Sequence, residues 1–206
     1  NELGVGMSKL VAGLGYNNRK YPVRVNSKDT DEYVAWHNML HRCTKHNWEV
    51  NSSYIDCGVS ENFKSYTFFY EWCQTQVGFR NKDENGKFWN LDKDLLIKGN
   101  KLYSEDTCVF VPHKVNTLLT KRYSKRGEFP IGVCWHKATS RYTAQCGEGI
   151  GCKPSYLGLF DTPTEAFQAY KTCKEFRVKE VAERYKQQLD TRAYQALMKY
   201  EVNIND

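Results

Sequence analysis

No run of apolar residues in this chain approaches the roughly 18 to 20 needed to span a bilayer as a helix. Nor does its start carry the basic-then-apolar pattern of a secretory signal. A cytosolic protein is therefore expected, with no membrane partner. Eight cysteines are present, yet no two are spaced C-x-x-C, which argues against a zinc ribbon and against a thioredoxin-type site. Free, buried thiols are expected instead, with no structural zinc and no small-molecule cofactor. There is no internal repeat and no low-complexity stretch. Disorder is excluded as well, because hydrophobic residues make up 40% and aromatics 14% of the chain, enough to fill packed cores.

At 206 residues the chain has room for one large domain or two small ones, and two small ones are expected. Asn1 to Gly6 precede Met7, which reads as an initiator, and are set aside as an appended remnant. Lysine and arginine exceed aspartate and glutamate by 30 to 24, a balance of +6 that favours a polyanionic partner without requiring one. The distribution says more. Lys114, Lys121, Arg122, Lys125 and Arg126 fall in a stretch with no acidic residue, which suits either a solvated linker or a strip that contacts phosphates.

Tyr33, Trp36, Leu40 and Cys43 recur at helical spacing behind Thr30, a ready N-cap, and predict an amphipathic helix from about Asp31 to Cys43. A second helix is expected from Ser60, carrying Phe63, Tyr66, Tyr70, Cys73 and Val77, with Gly78 near its end. Asn47 to Val59 reads as a loop or short extended segment. A strand ending at Asp92, a turn at Lys98-Gly99-Asn100 and a strand at Cys108 to Val111 predict a hairpin, with a helix after Pro112. Ile131 to Trp135, Tyr142 to Cys146 and Tyr156 to Phe160 predict three short strands. Thr162, Pro163 and Glu165 then form a capping-box start for a helix reaching about Gln188. His37 and His41 could share a helix face, but Asn38 stands where H-E-x-x-H needs its glutamate, so surface histidines are expected.

The strings WHNMLHRC, FKSYTFFYEW, WNLDKDLLIKGNKLYS and TCVFVPHKVN, in that order from Trp36 through Asn116, resemble phage HNH homing endonucleases. That resemblance implies a ββα-metal domain, in which a hairpin and a helix hold one divalent ion, Mg2+ or Mn2+, against a scissile phosphate. It places the metal ligands at Asp92 and Asn116 and the middle position of the motif at Thr107. Lys93 stands where the family has its catalytic histidine. Asp94 and His113 are spare polar groups able to replace that base. Three readings stay open for this set: a divergent active site, a metal-competent but inactive one that binds DNA, and structural turn residues.

The strings IGVCWHK, RYTAQC and YLGLFDTPTEAFQAY resemble the apetala/ethylene-response-factor DNA-binding domain, which lays a three-stranded sheet in the major groove. The contacts it implies are Trp135, His136, Lys137, Arg141, Tyr142, Gln145 and Lys153, of which strand alternation lets about half face DNA. The expected fold is thus α+β: a ββα-metal domain over residues 31–120, a basic linker at 121–127, and a sheet-on-helix domain with a helical extension over 128–206. Residues 1–30 lead into the first domain. The expected function is binding of double-stranded DNA in an infected bacterial host, with metal-dependent cleavage or nicking. Against it stand a catalytically inactive derivative acting as repressor or competitor, and an interaction protein that inhibits a host factor.

Overall fold

The computed structural model describes residues 10–119, 127–147 and 153–206. The chain is mixed α+β and divides into two units, Asn1–Phe110 and Val111–Asp206. Among the described residues no helix is long and apolar enough to cross a membrane.

In the first unit, β1 (Arg24–Val25) and β2 (Lys28–Asp29) form a small hairpin that delivers the chain to α1 (Asp31–Arg42). Thr30 caps α1 by accepting from the Tyr33 N–H at 3.3 Å, as its sequence position suggests. Trp36, Met39 and Leu40 are fully buried on one face of α1. Trp36 packs among rings: it lies 5.2 Å from Tyr66, and its indole N–H donates to the Phe63 carbonyl at 2.8 Å. Buried tryptophan normally needs such a partner.

The expected second helix is broken. α3 (Glu61–Lys64) ends at Ser65, and α4 (Tyr66–Thr75) starts anew there. Tyr16 causes the break, because its N–H donates to the Lys64 carbonyl and its carbonyl accepts from the Tyr66 N–H, at 2.9 and 3.0 Å. Those groups are thereby removed from a helical ladder, and the Ser65 side chain caps the new start. The stretch from Asn47, expected as a loop, is also more ordered than its pattern implied. α2 (Lys45–Val50) is capped by Thr44 and followed by a 3-10 turn at Ser52–Tyr54 capped by Asn51. Neither piece buries a residue, so no apolar period announced it.

β3 (Gly58–Val59) then pairs in parallel with β5 (Leu102–Tyr103), while β4 (Asn90–Asp92) pairs with β6 (Val109–Val111). The expected strands at Asp92 and Val111 are present and paired, with β5 in the connection between them. Gly99 takes a left-handed φ of +82° in the turn before β5.

The second unit opens with α5 (His113–Leu119) and continues as an antiparallel sheet, β7 (Val133–His136), β8 (Arg141–Cys146) and β9 (Ser155–Phe160), in the order β7-β8-β9. α6 (Pro163–Arg184) follows, and its capping box at Thr162 and Glu165 forms as the sequence predicts. α6 stops at Arg184, short of Gln188, and α7 (Thr191–Met198) packs back on it. Val133, Ala144 and Cys146 from the sheet meet Ala166, Phe167 and Tyr170 from α6 in one core, closed by Val202. Lys171 donates to the Val202 carbonyl, and the Val202 N–H donates to Glu175, both at 2.9 Å, so α6 holds the segment after α7.

Candidate functional site

Asp92 ends β4 and is buried. Its Oδ1 accepts from the backbone N–H groups of Asp94 at 3.0 Å and Leu95 at 2.7 Å, which fixes the carboxylate in a turn of its own making. Burial, with Asp94 alongside, nevertheless pushes Asp92 up to about 6, against the pull of those two N–H bonds and of Lys93. Asp94 is half-exposed.

Lys93, expected at the place of a catalytic histidine, is not on the surface. Only 7% of the Lys93 side chain is exposed, its ammonium lies 3.6 Å from Asp94 Oδ2, and it sits 5.7 Å from the centre of the Tyr103 ring. Asn100 fixes the loop behind it by donating to the carbonyls of Lys93 and Leu102, each at 2.7 Å. Thr107, expected at the middle position, has a hydroxyl that donates to the Leu102 carbonyl at 2.9 Å and meets Ser104 at 2.8 Å, so it closes the turn before β6. His113 and Asn116 belong to α5 in the second unit, three residues apart on its first turn.

Sequence reasoning missed Arg42, Tyr54 and Tyr103. The Arg42 guanidinium, at the end of α1, lies 5.4 Å from the centre of the Tyr54 ring and within hydrogen-bonding reach of Tyr103. It also bears electrostatically on Asp92. Burial raises the thiols of Cys43, to about 12, and of Cys57, while Lys93 and Arg42 pull both the other way. The only sequence signal for this grouping was the arginine closing an otherwise amphipathic helix. The β3 to β5 pairing that brings Cys57 and Tyr103 together spans some forty residues and leaves no local trace.

In the second unit, antiparallel partners share a face and successive residues alternate. Val133 pairs with Ala144 and Trp135 with Tyr142, which puts all four toward α6. Tyr142 packs against the core, and Trp135 stacks edge-on against it at 4.9 Å with 42% of its surface still open. The opposite face carries His136 paired with Arg141, and Gln145 paired with Tyr156. His136, Gln145 and Tyr156 are exposed, as are Lys137 and Lys153 in the adjoining segments. Arg141 is held by Asp161 at 2.8 Å, and His136 Nδ1 meets Thr139 at 2.9 Å. Five of the expected contacts therefore lie on or beside the open face, and two lean on the core.

Lys114 is half-buried in α5, and Lys121, Arg122, Lys125 and Arg126 lie outside the described residues. His37 and His41 do share a face of α1, with ring centres 4.4 Å apart. Among the described residues no group of three or more histidine, cysteine, aspartate or glutamate side chains is arranged to hold a metal ion. The seven described cysteines are free, five of them buried, whereas Cys134 is exposed and Cys173 half-buried. No protein-family model matches the chain, and no solved structure matches it.

Proposed function

We propose that this chain is a double-stranded DNA-binding protein that reads its site with the open face of the β7-β8-β9 sheet. The observation that carries this reading is the division of that sheet into two faces. One is filled by α6; the other presents His136, Arg141, Gln145 and Tyr156, flanked by Lys137 and Lys153. Arginine and glutamine suit the acceptor and donor edges of the major groove, while the lysines suit phosphates. The ion pair with Asp161 holds Arg141 in a set direction before any ligand arrives. The full-length Arg141→Ala and Gln145→Ala proteins are expected to lose discrimination between a selected site and random duplex by about 1–3 kcal/mol each, with smaller losses on random duplex. Equal losses on both duplexes would remove the sheet face from recognition.

A second reading, hydrolysis in the manner of an HNH nuclease, draws on Asp92. A buried carboxylate raised to about 6 beside a second carboxylate is under-compensated, and its hard oxygens suit Mg2+ or Mn2+. In this reading Asp92 would hold the ion, which would supply polarisation of a phosphodiester. Lys93 occupies the place of the proton acceptor, so cleavage should be slow. Nicking of supercoiled DNA that depends on Mg2+ or Mn2+, disappears in EDTA and is lost in Asp92→Ala supports an enzyme. Binding without nicking, also in Lys93→His, points to a repressor or competitor.

A further inference from the structure

Tyr33, His37 and His41 follow one another at four-residue intervals along α1, a spacing that puts their side chains on one face. Their rings form a column, with centres 5.6 Å apart between Tyr33 and His37 and 4.4 Å apart between His37 and His41. Tyr33 anchors one end of it by meeting the buried Tyr66 ring edge-on at 5.6 Å. The two histidines lie outside the stripe of Trp36, Met39 and Leu40 that α1 buries, His37 half-buried and His41 exposed.

Among the described residues no hydrogen bond engages a ring nitrogen of either histidine. Each neutral imidazole therefore has a lone pair to offer. Burial, with His41 beside it, holds His37 below its ordinary value against the pull of Asp29, which favours that neutral form. His37 also bounds a cleft of about 360 Å3 with Arg24, Asp29, Tyr33, Val34 and Asn38. The Arg24 guanidinium is taken up by Asp29 at 2.6 Å, so its charge is already balanced at the opening. The cleft leaves room for water beside the ring.

The separation of the two rings selects among metals. With metal–nitrogen bonds of about 2.0–2.1 Å, two imidazoles bound at a right angle have centres about 4.5 Å apart, and at the tetrahedral angle about 5.2 Å apart. The observed 4.4 Å matches the right angle, which tetragonal ions prefer. We propose that His37 and His41 form a two-imidazole site for one tetragonal transition-metal ion, Cu2+ or Ni2+, with water from the cleft completing its shell. The site is separate from Asp92, whose hard oxygens suit a different class of ion, and it does not depend on DNA binding. A metal held there ties two turns of α1 together and stabilises the fold by mass action.

The test uses the full-length chain carrying Cys134→Ser, which removes an exposed competing thiol, as the parent. His37→Gln, His41→Gln, the double variant of the two and His46→Gln are made in that parent. Calorimetric titration with NiCl2, CuCl2 and ZnCl2 gives the affinities. Pulsed electron paramagnetic resonance of the Cu2+ complex counts the bound imidazoles, and melting temperature is read with and without Ni2+. Two imidazoles are expected in the parent and one in each single variant. Each single variant should lose Ni2+ affinity by about tenfold or more, at least what loss of an outer-shell partner costs a metal site. His46→Gln should bind as the parent does. Ni2+ should bind more tightly than Zn2+, raise the melting temperature of the parent and leave the double variant unmoved. His41 is exposed, so His41→Gln tests the site even where His37→Gln disturbs the fold. One imidazole or none in the parent, or equal Ni2+ affinity in the double variant, would overturn the site. Zn2+ binding tighter than Ni2+ would overturn its tetragonal geometry.

Discussion

Glu32 is the most exacting residue in the first unit. It is fully buried on α1, and its Oε1 is held by Arg80 at 2.7 Å and Gln74 at 2.8 Å, while its Oε2 has no hydrogen-bond partner among the described residues. Removing one side of such a pair strands a charge away from water. Arg80→Ala should therefore destabilise the chain by about 3–5 kcal/mol in urea unfolding. Adding Glu32→Gln should recover much of that, and a loss below about 1 kcal/mol would mean that the arginine contributes only as an exposed pair. Asp92 behaves in the opposite sense. Its folded value of about 6 exceeds its unfolded one, so the native state binds the proton more tightly. The contribution of Asp92 to stability is then fully present below about pH 4 and is lost as pH rises through about 6. Asp92→Asn keeps the oxygen that accepts from Asp94 and Leu95 and discards the charge. In EDTA it should be more stable than wild type at pH 7, by up to about 3 kcal/mol, with the two converging near pH 4. Coincident stability curves from pH 4 to 7 would show that the carboxylate is better compensated than its burial implies.

Elements were legible where a single local rule decided them. Thr30 and Thr162 cap their helices as their spacing implies, and the three strands of the second unit fall within two residues of their alternating patterns. What was not legible depends on distant partners. Tyr16 splits α3 from α4, and β3 finds β5 across the intervening chain. The candidate site divides the same way: Asp92 and Lys93 could be read from a motif, whereas Arg42 enters only through tertiary packing. Gly132 illustrates a constraint visible only in three dimensions. It has φ +80°, and a Cβ there would stand 2.1 Å from the Tyr170 ring in the core of the second unit. Gly132→Ala combines backbone strain with overpacking and should cost about 3 kcal/mol or more. Gly13→Ala, at φ +70° with nothing within 4 Å, should cost about 1 kcal/mol. Equal thermal shifts for the two would make the Tyr170 contact irrelevant.

For the molecule as a whole, the +6 balance sets the expectation of salt-sensitive, sequence-independent attraction to polyanions. Replacing Lys121, Arg122, Lys125 and Arg126 together by alanine should weaken binding to every duplex and flatten the salt dependence, with discrimination between sites retained. An unaltered slope in anisotropy titrations would take this strip out of the interface.

The β8-β9 ladder shifts register between Ala144 and Gln145, so that Gly158 pairs with Ala144 and Tyr156 with Gln145, leaving Leu157 without an opposite number. Leu157 leans into the core while Tyr156 stays on the open face. One supernumerary residue thus uncouples what the strand shows from what it buries. Variation can rewrite Gln145 and Tyr156 while Leu157 and Cys146 go on filling the interior. If that face reads DNA as proposed, its specificity can change in small steps while the core stays filled.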